Sequence, residues 1–173
     1  PPNRPVDVLL FSPDYDNDHT VFAGSREGGI FRSTDGGFHW STLSTLPLSD
    51  LVISPRYRRD HTLFAGTLWG VFRSADGGLT WQGSVAGMPY TRVQALAISP
   101  SFSADHTLWA SVRSATSQFG FFYSSALVRS TDGGLTWTSL ASSSDDLNAI
   151  ISLAVSPDYA QDHLLLAGKG SLS

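Results

Sequence analysis

Two strings of residues capable of acid–base or metal chemistry recur along this chain. An Asp-His pair occurs four times, as Asp18-His19, Asp60-His61, Asp105-His106 and Asp162-His163. A Ser-x-Asp-Gly-Gly string ending in Trp occurs three times, through Ser33, Asp35, Gly37 and Trp40, through Ser74, Asp76, Gly78 and Trp81, and through Ser130, Asp132, Gly134 and Trp137. A histidine beside a carboxylate suits a general base or a metal ligand. A carboxylate before two glycines suits a turn, where it accepts backbone N–H groups while glycine supplies positive φ. Repetition decides between these readings: a catalytic acid is needed once, whereas a turn is needed in every unit. Both strings are therefore expected to be structural. Asp14, Asp16 and Asp18 place oxygens at alternate positions, like the start of a calcium loop. Such loops want Gly at the sixth position and Glu at the twelfth, where this chain has His19 and Ser25, so no metal and no cofactor is expected.

The elements that carry these strings are strands. The 173 residues include 14 Asp but one Glu, 10 Arg but one Lys, 16 Gly and 9 Pro. Helix formers with long charged side chains are almost missing, and turn formers are plentiful. The Ser-Pro pairs at Ser12, Ser54, Ser99 and Ser156 are separated by 42, 45 and 57 residues. A repeat of about 40–45 residues matches one four-stranded blade of a β-propeller. In the second repeat the pattern predicts strands at 51–54, 62–67, 70–74 and 79–83, here named A to D, with B and C buried on both faces. The fold class is all-β: antiparallel four-stranded blades at about 6–44, 51–84 and 93–140, and half a blade at about 149–173. Three and a half blades cannot close a ring, so a longer parent chain is expected, and the start at Pro1 without Met agrees with an excised or processed segment. Exposed end blades also invite self-association through their open edges.

Charge and composition remove several functions. A net charge of −4 with scattered arginines offers no basic stripe for nucleic acid, and no apolar run is long enough for a membrane span. Without cysteine there is no disulfide, thiolate metal site or Cys nucleophile. The expected setting is extracytoplasmic, as for a secreted bacterial protein, which can also lack cysteine.

The Ser-x-Asp-x-Gly-x-Thr-Trp pattern, complete in Ser74 to Trp81 and Ser130 to Trp137 and altered at His39 in the first copy, resembles the Asp-box or BNR-repeat family. That resemblance implies a propeller with Asp boxes on the blade periphery, opposite the ligand face. Its members include sialidases, xyloglucan-active hydrolases, sortilin-type receptors and photosystem II assembly factors, so it implies architecture more than chemistry. Arg32, Arg73 and Arg129, each just before a box, are expected to pair with carboxylates of the neighbouring blade.

Specificity should lie in what is not repeated. The B–C and D–A connections, on the far side from the boxes, carry Arg26, Glu27, Trp69, Tyr90, Arg92, Asp145 and Asp146. The largest departure is an insertion of about a dozen residues in the third repeat with Phe119, Phe121, Phe122 and Tyr123, an aromatic set of the kind found at interfaces. A glycosidase would need two suitably spaced carboxylates, and Glu27, Asp50, Asp145 and Asp146 are the non-repeated acids on that side. The expected function is a non-catalytic binding or assembly module for a protein or glycan partner. The alternatives are part of a carbohydrate-active glycoside hydrolase, or a structural subunit of a surface layer or larger complex.

Overall fold

A computed structural model of the chain describes residues 5–114, 124–143 and 149–170. They form successive antiparallel sheets in chain order. The first holds β1 (Val8–Phe11), β2 (Val21–Ser25), β3 (Gly29–Ser33) and β4 (Ser41–Ser44). The second holds β5 (Leu48–Ile53), β6 (Leu63–Thr67), β7 (Gly70–Ser74) and β8 (Gln82–Ser84). The third holds β9 (Arg92–Ile98), β10 (Leu108–Arg113), β11 (Ser125–Ser130) and β12 (Thr138–Ser143), and the last pairs β13 (Ala149–Val155) with β14 (Leu165–Gly170). One-turn helices α1 (Tyr15–Asp18), α2 (Tyr57–Asp60), α3 (Phe102–Asp105) and α4 (Tyr159–Asp162) join the first two strands of each. This is a β-propeller stretch of three four-stranded blades and a two-stranded fourth.

The B strands β2, β6 and β10 are buried along their whole length, as continuous apolar runs sandwiched between blades must be. Packing across each seam follows one plan. Phe22, Phe64 and Trp109 of the B strands meet Tyr57, Phe102 and Tyr159 of the next blade's short helix edge to face, at centroid distances of 5.4, 5.6 and 4.7 Å. Each such fully buried aromatic contributes roughly 1.5–3 kcal/mol. Where the plan lacks a neighbour the same positions stand open: Leu9 is 53% exposed while its register equivalents Leu51 and Leu96 are 1% and 4% exposed. Seams also need a small residue. A Cβ on Gly66 would lie 2.6 Å from Val93 Cγ1, so the Ala-Gly end of strand B lets the next blade's first strand approach.

The strand bounds differ from expectation at both ends of the second blade. Strand A begins at Leu48, earlier than 51, and contains a bulge that sets Ser49 outside the register with β6. Strand D spans Gln82–Ser84, not 79–83, because Asp76 holds Thr80 by both its N–H and its hydroxyl and keeps that stretch in the turn.

Candidate functional site

The two repeated strings lock together at one end of each of the first three blades. In the A–B connection a serine hydroxyl bonds the Asp carboxylate (Ser54 Oγ to Asp60 Oδ2, 2.6 Å), whose other oxygen accepts the N–H of Thr62 at 2.9 Å. The His that follows adopts positive φ as the helix cap, 49° to 52° in all four copies. Its carbonyl then accepts the first Gly of the C–D turn: His19 from Gly36, His61 from Gly77, His106 from Gly133, at 2.9 to 3.0 Å. The Asp-His pairs are thus backbone devices.

Within the turn, Ser74 Oγ donates to Asp76 and accepts Gly78 N–H at 2.8 Å. Thr80 Oγ1 and N–H bind the Asp76 carboxylate at 2.5 and 2.9 Å, and these bonds with Ser74 lower its pKa to about 2. Asp132 also sits at about 2: burial raises it, and the hydrogen bonds of Thr136 and Ser130 outweigh that. In the first turn His39 Nδ1 takes the hydroxyl's place, 2.6 Å from Asp35 Oδ2, so the Thr-to-His change keeps the bond and swaps its donor. Of the three tryptophans that end these turns only Trp137 is deep in the core, 3% exposed, with its indole N–H on Ser84 of the preceding blade; Trp40 and Trp81 are half-buried and bond their own turns.

One expectation needs correction. Arg32 does not reach a carboxylate; its Nη1 lies 3.5 Å from the carbonyl oxygen of Gly77 in the next blade's turn, beside the Tyr57 hydroxyl. Arg73 places its guanidinium 6.0 Å over the Phe64 ring, and Arg129 is exposed. For Arg32 the Gly77 turn carbonyl stands where a carboxylate was expected. Two of the three aspartates weighed for calcium are otherwise engaged: Asp14 accepts Asn17 and Arg58, each at 2.6 Å, and Asp18 accepts Ser12 and Thr20. Among the described residues no group of three or more acidic, His or Cys side chains is placed to hold a metal.

The opposite end of the blades carries the B–C turns and D–A linkers, and there the chain forms a cleft of about 180 Å³. Arg26 from the first B–C turn, Leu68 from the second, Pro47, Leu48 and Ser49 at the start of β5, and Arg92, Val93 and Gln94 at the start of β9 line it. Three blades contribute, and the walls are apolar with guanidinium groups among them. Arg26 is tethered through its own N–H to Asp7 Oδ2 at 2.8 Å, its Nε standing 3.9 Å from Asp7 Oδ1. Ser49 Oγ bridges to the carbonyls of Gly66 and Val93 at 3.1 and 2.7 Å. Beside it Asp50 accepts the N–H of Leu51 and, across the seam, of Leu96 at 2.8 and 2.7 Å. Burial pushes the Asp50 carboxyl above its ordinary value, partly offset by the N–H bonds from Leu96 and Leu51.

Of the expected contact residues, Arg26 and Arg92 share this cleft. Trp69 stands 56% exposed next to Leu68, its N–H held by Thr67 Oγ1 at 3.0 Å. Glu27 is exposed in the Arg26 turn. Tyr90 is partly buried, packed against the core between the second and third blades. Phe119, Phe121, Phe122, Tyr123, Asp145 and Asp146 lie outside the described residues. Leu48, Ser49, Leu68, Val93 and Gln94 escaped sequence reading because their shared wall depends on a seam between blades; the only local signal is the extra residue ahead of each A-strand apolar run.

No protein-family profile matches the chain, and no curated protein does. Solved propellers do. The chain is similar to the GH74 xyloglucanase from Xanthomonas campestris, with 20% identity and a TM-score of 0.66 over 96% of this chain and 27% of that one. It is similar to the GH74 enzyme of Niastella koreensis at 22% identity and TM-score 0.64, over 88% and 24% of the two chains. It is also similar to YCF48 bound to a D1 peptide at 15% identity and TM-score 0.56, over 98% and 49%. The chain therefore spans about a quarter of the xyloglucanases and about half of YCF48. These likenesses define its class as a β-propeller. Among the described residues no helix is long and apolar enough to cross a membrane.

Proposed function

We propose that this chain is a stretch of an Asp-box propeller that serves, outside the cytoplasm, as a non-catalytic binding or assembly module, receiving a protein partner on the face opposite the C–D turns. The observation that carries this reading is the three-blade cleft with Arg26 and Arg92 on apolar walls, with Trp69 held outward alongside. Such a surface has the aromatic and arginine content of protein contact sites. One solved neighbour, YCF48, is bound to a D1 peptide, which supports a protein partner over a sugar.

The hydrolase alternative draws on the xyloglucanase likeness. Asp50 is the acid beside the cleft whose burial best suits a general acid, but both its oxygens accept backbone N–H groups in the seam. A group committed in this way serves packing. Incubating the full-length protein with xyloglucan and counting new reducing ends tests the reading: no hydrolysis is expected, and turnover that disappears in Asp50→Asn would reverse it.

A further inference from the structure

The cleft concentrates positive charge in a chain whose net charge is −4. Among the described residues its lining contains Arg26 and Arg92 and no carboxylate. Arg92 Nε is buried without a hydrogen-bond partner. Its Cα partner across the β9–β10 ladder is Arg113, only 8% exposed. Residues directly opposite in an antiparallel pair project from the same sheet face, so two guanidinium-bearing residues share it. Asp7 Oδ1 stands 3.9 Å from Arg26 Nε, too far for a hydrogen bond.

We infer that the cleft is a carboxylate site for a peptide, with Arg92 as the principal ligand, Arg26 as the second, and an apolar side chain next to that carboxylate seated on Leu48, Leu68 and Val93. The inference rests on the binding reading above and specifies its ligand. A planar guanidinium presents paired N–H donors that match a carboxylate bidentately, and it does so best where water is scarce. The apolar walls select against a bare hydrated anion and against a neutral sugar, because neither would cover them.

The test is an NMR titration of the full-length protein, labelled with ¹⁵N at arginine, using N-acetyl-leucine and its uncharged twin N-acetyl-leucinamide. N-acetyl-leucine is expected to shift the Arg92 Nε–H signal saturably and to bind at least about tenfold more tightly than the amide, the loss expected for one charge-assisted hydrogen bond. R92Q should abolish the shift, R92K should retain part of it, and added salt should weaken it. Equal binding of acid and amide, or no shift with either, would overturn the inference. So would sulfate competing as well as N-acetyl-leucine, which would make this a general anion site, or a neutral xyloglucan oligosaccharide shifting the signal where both leucine probes do not. A failure here leaves the broader reading to cross-linking at Leu68, which does not depend on charge.

Discussion

The carbonyl oxygen of His61 accepts the amide N–H of Gly77 at 2.9 Å, joining the A–B connection of the second blade to its C–D turn. Through this bond the positive φ of His61 positions the Ser-x-Asp-Gly-Gly turn, whose Ser74 hydroxyl then closes on Gly78. Ser74 is buried. Ser74→Ala should strand the Gly78 N–H and cost about 1–3 kcal/mol. Urea denaturation measures the loss, and ligand affinity of the folded full-length protein should be unchanged.

The depressed carboxyls of Asp76 and Asp132 predict an acid limb. Each sits at about 2 in the fold, below its unfolded value of roughly 4. The unfolded state therefore binds protons first, and the stability these groups contribute is present above pH ~4 and lost as pH falls toward ~2. Thermal melts from pH 6 to 2 should show that loss. Replacing both aspartates with asparagine should flatten the limb.

Asp50 has the opposite sign. Its folded pKa is raised by burial, so its contribution is greatest below the ordinary carboxylate range and falls as pH rises through the elevated value. The melting temperature of the wild-type protein minus that of Asp50→Asn should decline with rising pH just above ~4 and then level off. A difference that grows with pH would show that Asp50 is stabilised as the anion.

The seam can be tested through Gly66 and Val93. Gly66→Ala would bring Cβ to 2.6 Å from Val93 Cγ1, an overpacking cost of about 1–3 kcal/mol. Val93→Ala alone should also destabilise, because Val93 is fully buried. Combined, the two substitutions should cost less than their sum, since the second makes room for the first. Chemical denaturation of the four variants measures the coupling.

The architecture was legible because it is repeated. Ser54, Asp60, His61, Ser74, Asp76 and Gly78 recur in register, and their counterparts make the same bonds in the first three blades. Arg26 and Arg92 could be singled out as non-repeated, but not brought together: 66 residues separate them in sequence, and their meeting depends on how three blades abut. The partner of Arg32 was misread for a related reason. Its charge suggested a carboxylate, while the next blade presents the Gly77 carbonyl at that place. Tyr90 stood out by its position in a linker; that the linker packs on Trp137 through Ala86 and Gly87, and Tyr90 on the core, depends on contacts distant in sequence.

The central claim is that a protein partner docks on the cleft face and not on the turn face. A photo-reactive residue placed at Leu68, beside the cleft, or at Leu79, exposed in a C–D turn, compares the two faces in the full-length protein in its native host. Mass spectrometry of the adducts is expected to show one discrete protein cross-linked from position 68 and none from position 79. Adducts from position 79 with none from position 68 would contradict the account.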